Sequence, residues 1–175
     1  MPTWDADLYL RFANERTQPA IDLLARIGLA EPRRVIDLGC GPGNSTALLR
    51  GRWPAAEITG LDSSPQMIAA AAKDHPDGHW VLGDIATWTA DPPYDLVFSN
   101  ATLQWLPDHG TLYPRLLAQV APGGAFAAQI PVFYAMPVQR ALLDVAADPA
   151  WRDRLEPATR ALVAETPGFY YDALR

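Results

Sequence analysis

The sequence predicts an α/β domain built on a doubly wound, mostly parallel sheet flanked by helices, and three observations carry that expectation. Short apolar runs alternate with helical stretches from Val35 onward, the signature of parallel strands joined by crossover helices. The first apolar run ends in a glycine loop, Gly39-Cys40-Gly41-Pro42-Gly43, and the second ends in an acid, Asp62. A chain of 175 residues with 49% hydrophobic and 19% charged residues is large enough for one such core and has ordinary globular composition.

Taken in order, Thr17 or Gln18 opens a helix over Pro19–Gly28, with Pro19 suited to the first helical position and Ile21, Leu24, Ala25 and Gly28 on one face. Val35–Leu38 is a buried parallel strand. Ser45–Arg50 is a helix whose N-cap oxygen comes from Asn44 or Ser45. Glu57–Leu61 is the second strand, and Ser63-Ser64-Pro65 starts a helix that the alanine-rich run Gln66–Lys73 continues. Trp80–Leu82, Asp95–Ser99 and Ala125–Ile130 are further strands, the last following a helix at Leu112–Val120 and a turn at Pro122-Gly123-Gly124. Val138–Ala147 and Pro157–Ala164 read as helices. This divides the chain into a cap of helices over 1–30, an α/β core over 31–135 and a helical region over 136–175.

A net charge of -6 leaves no basic surplus for phosphate neutralisation, which argues against a nucleic-acid partner. No apolar run reaches the roughly 20 residues that span a bilayer. The start, Met1-Pro2-Thr3-Trp4-Asp5, lacks the features of a signal peptide, so a soluble cytoplasmic protein is expected. With one cysteine, Cys40, neither an internal disulfide nor a cysteine metal site can form, and His75, His79 and His109 are not at metal-ligand spacings. No metal and no Ser/His/Asp or Cys/His nucleophile system is expected.

The glycine loop demands a ligand that approaches backbone closely beyond the carboxyl end of a strand. A nicotinamide dinucleotide is the first alternative to weigh. Its fingerprint needs G-x-G-x-x-G, whereas here the glycines fall at 39, 41 and 43, with Asn44 at the third fingerprint position. Asp37, just before the loop, would repel a diphosphate and suits an ammonium group. S-adenosylmethionine has one, together with a sulfonium cation, and Asp62 is placed to accept hydrogen bonds from ribose hydroxyls.

The D-x-G-x-G-x-G loop resembles the first motif of class I S-adenosylmethionine-dependent methyltransferases, a Rossmann-like family. Asp62 resembles that family's ribose-binding acid, and Gly83-Asp84-Ile85 the segment that meets the adenine. Ser99-Asn100-Ala101 is similar to the strand end lining the methionine moiety and reacting centre, and Ala121-Pro122-Gly123-Gly124 to the turn before the fifth strand. The resemblance implies a cofactor site of Asp37, Gly39, Cys40, Gly41, Gly43, Asp62, Ser63, Met67, Asp84, Ile85 and Asn100, with S-adenosyl-L-homocysteine as product.

A narrower resemblance, to the trans-aconitate 2-methyltransferase family, is carried by Trp4–Arg16 (WDADLYLRFANER), Pro42–Leu49, Arg52–Gln66 and Asn100–His109 (NATLQWLPDH). It implies a small polycarboxylic acid as acceptor, positioned by Asn100, Gln104 and Trp105 and held by Arg16, Arg11, Tyr9 and His109. Trp4 belongs to the same aromatic segment. The sequence departs from the family at Gln18, where a further basic residue is expected. It also lacks the last two strands with which that fold usually ends, so the edge of strand 125–130 is expected to be open to self-association.

Overall fold

The computed structural model describes residues 13–133, 136–159 and 163–175, with the side chains of 13–16 and 156–158 outside the description. Its centre is a five-stranded, wholly parallel sheet in the order β3-β2-β1-β4-β5. The strands are β1 (Arg34–Leu38), β2 (Glu57–Asp62), β3 (His79–Leu82), β4 (Tyr94–Asn100) and β5 (Val120–Gln129). The helices are α1 (Ala13–Ala25), α2 (Asn44–Arg52), α3 (Pro65–Asp74), α4 (His109–Leu117), α5 (Pro137–Ala147), α6 (Arg152–Thr159) and α7 (Pro167–Ala173), with a 3-10 turn at Leu103–Trp105.

Alternation along the strands divides the core in two. Val35, Ile58, Leu96, Phe98 and Ala127 face α1 and α2, meeting Ala20, Ile27, Leu49 and Trp53. Ile36, Leu38, Leu61 and Val97 face the other way, against Leu103, Leu112, Tyr113 and Leu116. Strand order reverses between β1 and its neighbours β2 and β4, which makes the carboxyl ends of β1 and β4 the crevice where open α/β sheets bind ligands.

Several boundaries differ from the sequence reading. Among the described residues the first helix spans Ala13–Ala25, and Pro19 lies inside it, giving up one ladder hydrogen bond. Packing of Ala20 and Ile27 against the sheet, and the Arg52 guanidinium donating to the carbonyls of Leu24 and Ile27, hold that helix regardless. The cap of α2 is Gly43, at φ 97°, with no side-chain bond, because the hydroxyl of Ser45 is used elsewhere. The fourth helix spans His109–Leu117, opened by the Asp108 carboxylate accepting from Thr111 N–H, so Val120 belongs to a strand.

That strand, β5, starts before the Pro122-Gly123-Gly124 turn. Val120 pairs with Tyr94 and Ala125 with Leu96, so the turn is a bulge within the strand. Gly124 packs against strand β4 so closely that a Cβ there would lie 2.5 Å from the Asp95 carbonyl oxygen. At the foot of the sheet the Asp95 carboxylate accepts from the backbone N–H groups of Arg33 and Arg34 at 2.7 and 3.0 Å, which holds its pKa below the usual carboxylate range. The helix expected at Pro157–Ala164 overlaps an observed one at Arg152–Thr159, residues 160–162 lie outside the description, 163–164 are not helical, and α7 is an element the sequence reading lacks. Among the described residues no helix is long and apolar enough to cross a membrane.

Candidate active site

The glycine loop is built by β1 and anchored on β2. The N–H groups of Gly39 and Cys40 both donate to the Leu61 carbonyl, at 2.7 and 3.1 Å. Gly39 has φ +74°, and a Cβ on it would fall 2.1 Å from the Thr102 side chain, whose hydroxyl donates to the Gly39 carbonyl. No other residue type fits there. Gly41, at φ +54°, is different: nothing lies within 4 Å of a Cβ, so its backbone faces open space. Its N–H donates to Asp62 Oδ2 at 2.9 Å, while Asp62 Oδ1 accepts from Ser64 N–H at 2.8 Å. Each oxygen retains a lone pair for a ligand hydroxyl.

Asp37 is fully buried. Its Oδ2 accepts from the hydroxyls of Ser45 and Thr46, both at 2.6 Å, and its Oδ1 is buried with no partner among the described residues. Burial, partly offset by those two hydroxyls and reinforced by the Asp62 charge, raises its pKa to about 6. A buried acceptor without a donor costs about 1–3 kcal/mol, and an ammonium group is the donor that would also favour the ionised form. Cys40 is buried, and burial beside Asp37 and Asp62 pushes its thiol pKa up, so it is a small loop residue and no nucleophile.

At the carboxyl end of β4, Ser99 Oγ donates to the Leu38 carbonyl and locks β4 to β1. Asn100 follows, with its amide oxygen buried and unpartnered. Ala101 has φ 52°, a left-handed conformation held from two sides: its N–H donates to the Gln129 carbonyl at 2.9 Å and its carbonyl accepts from Gln104 Nε2 at 2.7 Å. Thr17 and Ala20 of α1, with Gly39, Pro42, Ser45 and Asn100, line a narrow hollow over the loop. Asp37, Asp62 and Asn100 are thus brought to one crevice with Gly39, Cys40, Gly41 and Gly43.

The remaining sequence candidates divide. Met67 is buried beneath the entry to α3, whose Ser64 cap accepts from its N–H. Ser63 is exposed beside Asp62. Asp84 is exposed after β3, one carboxylate oxygen accepting from Ala86 N–H, and Ile85 is buried. Trp105 is 43% exposed, whereas Gln104 is buried and bonded to Ala101.

His109 is packed inside the fold. Its Nδ1 lies 2.7 Å from Tyr170 Oη and its Nε2 lies 2.9 Å from the Leu103 carbonyl. Both ring nitrogens are engaged inside a buried cluster with Tyr113 and Tyr170, so in this arrangement neither is open to the crevice. Trp4, Tyr9 and Arg11 lie outside the described residues. Arg16 is on α1 one turn before Ala20, with its side chain outside the description.

Comparison with known proteins places this arrangement. A model described as a methyltransferase domain matches residues 35–124. A trans-aconitate 2-methyltransferase of Azoarcus sp. is 47% identical over 99% of this chain and 68% of its own length. One from Methylobacterium radiotolerans is 49% identical over 99% and 68%, and one from Escherichia coli 47% over 99% and 67%. Among solved structures, a Haemonchus contortus phosphoethanolamine N-methyltransferase 2 superposes with TM-score 0.74 at 17% identity, over 97% of this chain and 40% of that one. A Haloferax volcanii putative methyltransferase, solved with the Trm112 activator, gives 0.71 at 21%, over 98% and 74%. These distant structures share the fold. The glycine loop, the acid after β2 and near-half identity along the whole chain lead to one assignment: the chain belongs to the trans-aconitate 2-methyltransferase family.

Proposed function

We propose that the chain transfers a methyl group from S-adenosylmethionine to a carboxylate of trans-aconitate or a closely related polycarboxylic acid. The observation that carries this reading is the identity of 47–49% with trans-aconitate 2-methyltransferases over 99% of the chain. The crevice agrees with it. Buried acceptors without donors at Asp37 and Asn100 fit a ligand ammonium, and Asp62 has free lone pairs beside the open backbone of Gly41.

S-adenosylmethionine supplies an electrophilic methyl on sulfur, which passes to a carboxylate oxygen and leaves S-adenosylhomocysteine. The residues that would hold it are Asp37, the glycine loop, Asp62 and Asn100, with Ser63, Met67, Asp84 and Ile85 around the adenosine end. The acceptor carboxylate is ionised near neutral pH, with a reference pKa of about 4, so no side chain has to remove a proton. What the protein contributes is alignment, which can recover about 7–11 kcal/mol of a barrier. Asn100, Gln104 and Trp105 border the acceptor side, and Arg16, with Arg11 and Tyr9, is the proposed holder of the acid through bidentate guanidinium contacts.

Transfer of radiolabelled methyl from S-adenosylmethionine to trans-aconitate, with a base-labile ester as product, tests the reading. Cofactor binding by calorimetry with no label on the acid would overturn it. The outer edge of β5 borders a cleft between the end of α1 and α7, and self-association through that edge is part of the same proposal. Light scattering showing one monomeric mass at all concentrations would remove it.

A further inference from the structure

Asn100 ends β4 and Gln129 ends β5, and the register sets the two side by side. Alternation along the strands puts both side chains on the α1 side of the sheet, the face of Leu96, Phe98 and Ala127. The amide oxygen of each is buried and has no hydrogen-bond partner among the described residues. The main chain at Gln129, in contrast, is fixed, since its carbonyl accepts from Ala101 N–H. Gln129 also lines two clefts beside β5, of about 450 and 580 Å³, so its surroundings are open on the side away from Asn100.

Buried polar groups in folded proteins are almost always bonded, and two adjacent exceptions at the carboxyl edge of a parallel sheet point to a ligand. We propose that Gln129 is an acceptor-binding residue that donates its amide N–H groups to a carboxylate of the methyl acceptor, next to Asn100, whose oxygen faces the cofactor's ammonium. An amide carries two N–H donors and one acceptor oxygen, and a half-turn of its end interchanges them. Because the Gln129 oxygen has no partner among the described residues, that turn breaks no hydrogen bond it makes there. It presents N–H groups to an anion from the end of β5, part of the rigid scaffold. The role of Gln129 rests on the acceptor being a carboxylic acid, as proposed above.

Gln129→Glu keeps the shape and replaces the donors with a negative charge, and Gln129→Met keeps the length and removes the polar group. In methyl transfer to trans-aconitate, the Glu variant should raise KM by about tenfold or more and the Met variant several-fold. kcat at saturation and the S-adenosylhomocysteine Kd should stay near wild type in both. Unchanged KM in the Met variant, with turnover intact, overturns the proposal and leaves the methyltransferase reading standing. If the wild type transfers no methyl, trans-aconitate binding to the S-adenosylhomocysteine complex is measured by calorimetry in the same proteins. Binding weakened in the variants then sustains the Gln129 contact although the reaction reading has failed, and absence of binding to the wild type overturns both.

Discussion

The backbone N–H of Gly41 donates to the carboxylate of Asp62 across the crevice at 2.9 Å, tying the loop after β1 to the end of β2. The acid therefore shapes the loop as well as offering lone pairs to a ligand, and the two tasks can be separated by mutation. Asp62→Asn should weaken S-adenosylhomocysteine by about tenfold or more through the lost charge-assisted bonds. Gly41→Ala should also lose affinity but melt only modestly lower, by the roughly 1–2 kcal/mol of a left-handed alanine, because a Cβ at its φ of +54° meets nothing within 4 Å. Gly39→Ala should be strongly destabilised by its contact with Thr102. Calorimetry and thermal melts on the three variants check this, and a Gly39→Ala protein as stable as Gly41→Ala would contradict it.

Asp37 supplies a pH dependence. Its folded pKa, about 6, lies above the ordinary value of 3.8, so the folded state holds its proton more tightly than the unfolded state. Stability contributed by the neutral form is present below the unfolded value and is lost as pH rises through about 6. Cofactor affinity should run the opposite way, since an ammonium ligand favours the ionised acid: Kd should worsen as pH falls below about 6. Titrations between pH 5 and pH 8, roughly spanning that value, should show this dependence in wild type and a flat profile in Asp37→Asn.

His109 and Tyr170 form the second polar cluster. The Leu103 carbonyl can only accept, so His109 carries a proton on Nε2, while its Nδ1 shares a hydrogen bond with the Tyr170 hydroxyl and Glu165 N–H donates to that hydroxyl. Tyr170→Phe keeps the ring packing and removes the hydroxyl. It should lower stability by about 1 kcal/mol and raise hydrogen exchange in the segment 103–109 while β1 and β2 stay protected. Equal exchange in both proteins would show that the latch holds nothing.

Ala101 is a left-handed alanine, a conformation that costs an L-residue about 1–2 kcal/mol. Ala101→Gly should therefore stabilise the fold by up to about 1 kcal/mol, raising Tm by about 2–4 °C in a domain of this size. It should also lower methyl transfer, because the turn that fixes Asn100 loses stiffness. A lower Tm would show that the strain is absent.

The sheet was legible in the sequence wherever a strand is buried on both faces. Val35–Leu38, Glu57–Leu61 and Asp95–Ser99 are apolar runs bounded by loop residues, and each lies inside an observed strand. Punctuation misled at two places. Pro19 looks like a helix start, and the Pro122-Gly123-Gly124 segment looks like the end of a loop, yet tertiary packing carries α1 and β5 through both. Asp37, the glycine loop, Asp62 and Asn100 could be picked out as candidates because each lies at or just beyond the end of an apolar run that the sequence marks as a strand. Gln129 and the His109–Tyr170 pair could not, since the first depends on strand register and the second joins residues 61 positions apart. No periodicity carries either relationship.

The latch between His109 and Tyr170, with Val163 N–H donating to the Gln104 carbonyl, also bears on how the protein comes into being. The glycine loop and Asp62 are joined to each other and to Thr102, and these residues all precede Val163 in synthesis. The wall beside Gln104 and Trp105 must wait for Val163 and Tyr170 to be synthesised. Nascent protein should accordingly acquire affinity for the nucleoside before it acquires affinity for the acid.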